Sequence, residues 1–300
     1  MSELILSSIS SISSSTHEFE SPSRLQQARY HLRRNPLVSL GIVVAILWIL
    51  IAFIAPAISP VEPLKQDLVN RLQAPGELFL MGSDELGRDI FSRVLWGSRI
   101  TIPAGLSVIV IGSTLGVIIG AVAGYAGGVV DELLMRLTEL FMAFPFIILA
   151  MAVTAALGPD IRNAVLALSA VWWPRYARIL RGLVLEVKSQ EFVEAAHSAG
   201  AGGAYVLFRT ILPNCIAPAV ILATLDIGTA VISFAALSFI GLGPEPSSPE
   251  WGRMVSIGID FFDQWWMWLF PGLAIASLVM AFNFIGDGLR DILDPRLRGE

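Results

Sequence analysis

Charge-free stretches long enough to cross a bilayer recur along this chain, where a helical span needs about 20 apolar residues. Residues 35–61 hold no Asp, Glu, Lys or Arg, and the same holds for 100–130, 140–159 and 264–286. Another run opens at 163–174 and continues past Arg175, Arg178 and Arg181 to about Glu186, while 210–244 is interrupted only by Asp226. The pattern predicts an all-α integral membrane protein with six transmembrane helices. It divides the chain into a Ser-rich, disordered tail (1–34), a first span (35–61), a loop (62–99), a transmembrane core holding spans two to six (100–287) and a C-terminal tail (288–300).

Orientation follows from the basic residues in the short flanks. Arg24, Arg29, Arg33 and Arg34 precede the first span, and Arg290, Arg296 and Arg298 follow the last, so both termini are expected in the cytoplasm. The segment after span four, with Arg175, Arg178, Arg181, Lys188 and Arg209, falls on the same side. The loop at 62–99 is then extracytoplasmic, although it holds Lys65, Arg71, Arg88, Arg93 and Arg99, balanced by six acids. Its last part, "RDIFSRVLWGSR", gathers Ile90, Phe91, Val94 and Leu95 on one face and predicts a separate amphipathic helix that lies along the membrane surface or roofs the bundle. The N-terminus has no basic n-region, so the first span reads as an uncleaved anchor.

Composition agrees. The 300 residues are 55% hydrophobic and 15% charged, with mean hydropathy +0.70, against roughly 25% charged in soluble domains. A net charge of −5 without a basic run argues against a nucleic-acid partner. The single Cys215 forms no internal disulfide, and His17, His31 and His197 are too scattered for a metal cluster. Neither lysine follows a glycine, so there is no P-loop, and zinc-protease and nucleophile-elbow motifs are absent too. Asp84, Glu85 and Asp89 miss the alternating positions of a calcium loop and read as capping groups. No enzyme, cofactor or resident metal is expected.

Several positions inside the core stand out. Gly112, Gly116, Gly120, Gly124 and Gly128 recur every four residues, a groove into which another helix can pack closely. Pro145 predicts a kink in span three, and Arg136 and Glu139 stand at i,i+3 to pair. Trp265, Trp266 and Trp268 predict an aromatic belt at the start of span six. Asp226, a mid-span carboxylate, either lines a wet translocation path, near a substrate amine, or hydrogen-bonds between helices.

One polar interruption, "EFVEAAHSAGAGGAYVLFRTILPN" at 191–214, separates spans four and five. It predicts a short small-residue helix ending at Gly200, a second turn through Tyr205 to Phe208, and Pro213 in the first turn of the next span. The spacing of Glu194, Ala195, Ala196, Gly200, Leu212 and Pro213 resembles the coupling motif of ATP-binding-cassette importer permeases, with Thr210 where that pattern often has isoleucine. "MGSDELGRDIFSRVLWGSR", "GYAGGVVDELLMR", "LSFIGLGPEPSSPEWGRM" and "FNFIGDGLRDILDPRLRG" look like the second permease of dipeptide, oligopeptide and nickel importers. The resemblance implies a coupling helix within about 188–212 that docks on a cytoplasmic ATPase. It also implies a homologous second permease, two ATPase subunits, an extracytoplasmic solute-binding protein and a peptide-like solute. Nickel complexes, glutathione or oligosaccharides are the alternative cargoes, and an ion-coupled transporter or membrane scaffold the alternative classes.

Overall fold

The computed structural model describes residues 35–293, with side chains through residue 291. The Ser-rich tail, the four arginines that precede the first span, Arg296 and Arg298 lie outside the described residues. Every regular element among those described is helical, apart from one isolated bridge between Ser83 and Asp89. In chain order the helices are α1 (Pro36–Ile58), α2 (Ile90–Ala126), α3 (Gly128–Met142), α4 (Phe146–Leu157), α5 (Ile161–Lys188), α6 (Glu191–Ser198), α7 (Leu212–Phe239), α8 (Trp251–Asp260) and α9 (Trp266–Leu293).

Helix α2 is the longest element, and three clusters of buried side chains follow one another along it. Ile90, Val94 and Ile102 pack with Trp251, Met254, Trp266 and Met267 near its start. Val108 and Ile109 meet Leu168, Trp172, Tyr176 and Phe234 further along. Ala121 joins Leu180, Val184, Val206 and Ile211 near its end. At 37 residues and 1.5 Å per residue, α2 is longer than a hydrocarbon core of about 30 Å.

This length corrects one expectation. Residues 90–99 form no separate surface helix, because the helix that Asp89 caps through the Ser92 amide runs unbroken to Ala126. The apolar face of that segment is covered by tryptophans and methionines of α8 and α9, so it has no need of a membrane surface. Trp266, expected in an aromatic belt, is buried there and donates its indole N–H to the Ser83 carbonyl at 3.1 Å.

The glycine stripe faces α5. A Cβ added at Gly112 would lie 2.9 Å from the Trp172 Cβ, at Gly116 2.4 Å from the Trp173 carbonyl oxygen, at Gly120 2.3 Å from the Ala177 oxygen and at Gly124 2.9 Å from the Arg181 oxygen. Backbone therefore lies against backbone over four successive turns. Gly128 does not belong to the stripe. It follows Gly127, both have positive φ (+55° and +67°), and a Cβ at either would meet nothing within 4 Å. Two consecutive residues in a region costly for side chains end α2 and redirect the chain into α3.

Pro145 produces more than a kink. Helices α3 and α4 are separated by Ala143–Pro145 and bent by 88°. Four helical runs among the described residues are long and apolar enough to cross a membrane: Pro36–Ile58, Ile90–Ala126, Gly203–Phe239 and Trp266–Asp291, with the bent pair a fifth if it is one span. Helix α5 falls short of that standard because Arg175, Arg178, Arg181 and Glu186 crowd its second half. The last helix continues past the expected boundary at 288, and Gly288 lies close against Val38 of α1.

Candidate functional site

Two places gather the polar residues. The first is α6, which joins the ends of α5 and α7. It is short, and Val193 is its one buried residue, set among Leu180, Val184 and Val206. Glu194 and Ala195 are exposed and Ala196 is half-buried. Glu191 and Glu194 occupy the first turn, where a carboxylate suits the positive end of the helix dipole. Gly200, at φ +82°, closes α6 with paired bonds: the Ala201 amide donates to Ala196 (3.1 Å) and the Gly200 amide to His197 (2.9 Å). Around this helix the aromatic side chains of Phe192, Tyr205 and Phe208 are also exposed.

Pro213 stands in the first turn of α7, as expected. This residue does not open a fresh helix, because a turn at Gly203–Tyr205 and a π-helical turn at Val206–Ile211 lead into Leu212 without a break. The Leu212 amide donates five residues back, to Leu207. Pro213 has no N–H to offer Arg209, and the widened turn accommodates that gap. Leu212 is half-buried against the core and Pro213 is exposed.

The second place is the α5–α7 contact. Asp226 is buried and accepts from Arg175 Nη1 at 2.8 Å, Tyr176 Oη at 2.9 Å and Trp172 Nε1 at 3.4 Å. Of the two readings of this residue, the structure brings together the interhelical one. We expect Asp226→Leu to cost about 2–3 kcal/mol, below the usual range for breaking a buried pair because the freed Arg175 can rehydrate. Asp226→Asn keeps an acceptor for Tyr176 and should cost about 1 kcal/mol. Melting temperatures of the purified protein check this order, and equal values for the two variants would refute it.

Further charged pairs lie elsewhere, and of these spacing announced Arg136–Glu139 alone. Arg181 grips Asp131 with two bonds, at 2.5 and 2.6 Å, tying α5 to α3. Arg136 and Glu139 meet at 3.4 Å on an exposed face. At the other end of α2, buried Arg88 binds Asp84 (2.6 Å) and Glu85 (2.7 Å), and buried Arg93 donates to the carbonyls of Pro63, Ser247 and Ser248. The Gly/Pro-rich segment before α8 is thereby pinned to the loop before α2. Fully buried Glu250 caps α8 through the Gly252 and Arg253 amides and accepts from Thr101, while burial pushes its carboxyl above the ordinary range. No group of three or more metal-ligating side chains occurs among the described residues.

Residues 116–299 match the model of the binding-protein-dependent transport system inner membrane component. The chain belongs to that family. Residues 23–75 match the N-terminal transmembrane domain of oligopeptide transport permease C. A dipeptide transport system permease protein of Alkalihalophilus pseudofirmus is 38% identical across 94% of this chain and 93% of its own length. A probable D,D-dipeptide transport system permease protein of Escherichia coli is 41% identical over 90% and 91%. A glutathione transport system permease protein of Pectobacterium atrosepticum is 40% identical over 90% of each chain.

This permease is thus a multi-pass inner-membrane protein and a transport subunit. Within the family match lie the stripe from Gly116 onward, the Asp131–Arg181 clasp, α6 and the Arg175–Asp226 pair, whereas the Asp84–Arg88–Arg93 cluster precedes it.

Proposed function

We propose that this chain is one of two permease halves of an ATP-driven importer for dipeptides and other short peptides. The observation that carries the reading is identity near 40% over nine-tenths of the chain with permeases named for dipeptide transport. The six spans are α1, α2, the bent α3–α4 pair, α5, α7 and α9. Helix α5 crosses despite its arginines because Arg175 and Arg181 are paired with carboxylates and the glycine stripe of α2 packs closely against it. Six crossings return both termini to the cytoplasmic side that the arginine-rich flanks favour.

In this orientation α6 projects into the cytoplasm. Glu194, Ala195 and Ala196 with exposed Phe192 and Phe208 offer an acid and apolar surface to a cleft on an ATPase subunit. Gly200, Leu212 and Pro213 fix how α6 joins α7, so a rigid-body push on α6 reaches the span that holds Asp226. The opposite end, with the Arg93-pinned segment before α8, faces a solute-binding protein outside. A homologous second permease covers apolar surface such as that of α1, whose span is only 11% buried within this chain. Specificity for the solute is shared with the binding protein.

The test is uptake into proteoliposomes by the complex assembled with its copurifying subunits. Labelled dipeptide should accumulate only with ATP, and collapsing ion gradients should leave the rate unchanged. Accumulation without ATP, driven by a proton gradient, would sink the importer reading. The pairing of Asp226 with Arg175 speaks against a proton-carrying role for that acid.

A further inference from the structure

Burial turns Asp226 away from any solute, and the group that its pairing presents outward is a cation. Arg175 lies in the middle of α5, and 55% of its side-chain surface remains exposed although Nη1 sits 2.8 Å from Asp226. That is the only hydrogen bond of its guanidinium to the described residues, so the Nε/Nη2 edge is unpartnered. That edge is the face with which arginine takes a carboxylate through two parallel bonds.

Its surroundings separate two environments. A mid-span arginine exposed to lipid costs roughly 2.5–3.5 kcal/mol, and such side chains usually escape by snorkelling to a headgroup. Asp226 prevents that escape, with Tyr176 and Trp172 holding the carboxylate in turn. The open side of Arg175 therefore belongs in water. One helical turn on, exposed Arg178 has no partner among the described residues and extends the same cationic face along α5.

Arg175 also opens on a pocket of about 260 Å³, walled by Phe141, Phe144 and Phe146 around the α3–α4 bend, by Trp172 of α5 and by exposed Thr229 of α7. Drug-sized sites span roughly 300–1,000 Å³, so this pocket holds part of a small solute and not a large one. An aromatic wall beside one forked cation fits an apolar side chain next to a carboxylate.

We infer that Arg175 binds the carboxylate of the peptide during passage, the aromatic wall taking the adjacent side chain, with Asp226 and Tyr176 as positioning residues. The assignment rests on the peptide-importer reading and names a contact within its path. It reverses the sign of the sequence-based expectation: the path meets the solute's acid here, not its amine. Because Asp226 already offsets the arginine's charge, the hold is weak enough for release, as passage requires.

The test places the protein's single thiol in the pocket wall. Assembled transporter carrying Cys215→Ala and Thr229→Cys, in proteoliposomes, is exposed on both faces to a sulfonated maleimide, which needs a hydrated thiolate. We expect labelling, slowed about tenfold by a free dipeptide and unaffected by its C-terminal amide, from the loss of one charge-assisted contact. Arg175→Gln should remove the difference and Arg175→Lys should keep it in part. If Arg175→Gln does not assemble, Arg175→Gln with Asp226→Asn removes the stranded carboxylate and should behave alike. A thiol that never labels overturns the assignment, since lipid or the second permease then covers the pocket, and so does equal protection by acid and amide. Uptake of the same dipeptide is measured in parallel. Protection by the acid without any uptake overturns the substrate reading alone, whereas uptake with no difference in protection overturns this site alone.

Discussion

Glu194→Lys should abolish transport, by tenfold or more, while the protein still inserts at normal levels. Glu194 is exposed on the first turn of a helix that protrudes from the bundle, and its carboxylate makes no hydrogen bond or ion pair to the described residues. Reversing its charge removes nothing that holds this chain together. It does place a cation at the positive end of α6 and against whatever the acid meets on a partner. Gly200→Pro acts by geometry. Proline cannot reach φ +82° and has no N–H to give His197, so the closure of α6 is lost and its angle to α7 with it. The local cost is about 3 kcal/mol, borne by an exposed turn and not by the core. Membrane levels by immunoblot and ATP-dependent uptake in the same vesicles decide the matter. Normal uptake by both variants at wild-type levels would remove α6 as the coupling element.

Gly120→Leu should cost more than 3 kcal/mol, above the usual range for overpacking, and should prevent recovery of folded protein in mild detergent. The obstruction is backbone, with the Ala177 oxygen 2.3 Å from an added Cβ and the Leu180 Cβ at 2.9 Å. No rotamer can relieve it, so α2 and α5 would have to separate along the length of the stripe. Two controls bracket the effect. Leu115→Ala, on the outward face of α2 with 43% exposure, should cost about 1 kcal/mol or less. Gly128→Ala meets open space and carries only the backbone strain of a positive φ, about 1–2 kcal/mol. Equal detergent yields for Gly120→Leu and Leu115→Ala would mean that the stripe does not hold α2 on α5.

The spans that crossed on composition alone were legible because a bilayer imposes a length and excludes charge, and both are properties of a linear string. The helix at 191–198 and its glycine stop were legible for a similar reason, since small residues, two early acids and a left-handed cap are local. The four-residue glycine period gave the contact face of α2 from the geometry of one helix. Its failure at Gly128 was beyond reach, because a period of four reads the same whether the last glycine packs or turns.

What the string could not give was partnership across distance. Arg175 read as a flanking cation that set orientation, and only the fold sets it beside Asp226, fifty-one residues later. Asp131 and Arg181, Arg93 and the Ser247 carbonyl, and Thr101 and Glu250 are likewise distant in sequence. Likewise, nothing local distinguishes an amphipathic segment on a membrane surface from one covered by α8 and α9, since both need the same apolar face. The sequence by itself determined which stretches are apolar and long enough to cross a bilayer and which are polar, because length and charge are read residue by residue. The tertiary structure alone decided which buried charges are neutralised and which cation is left facing a pocket, because that depends on helices brought together only by packing.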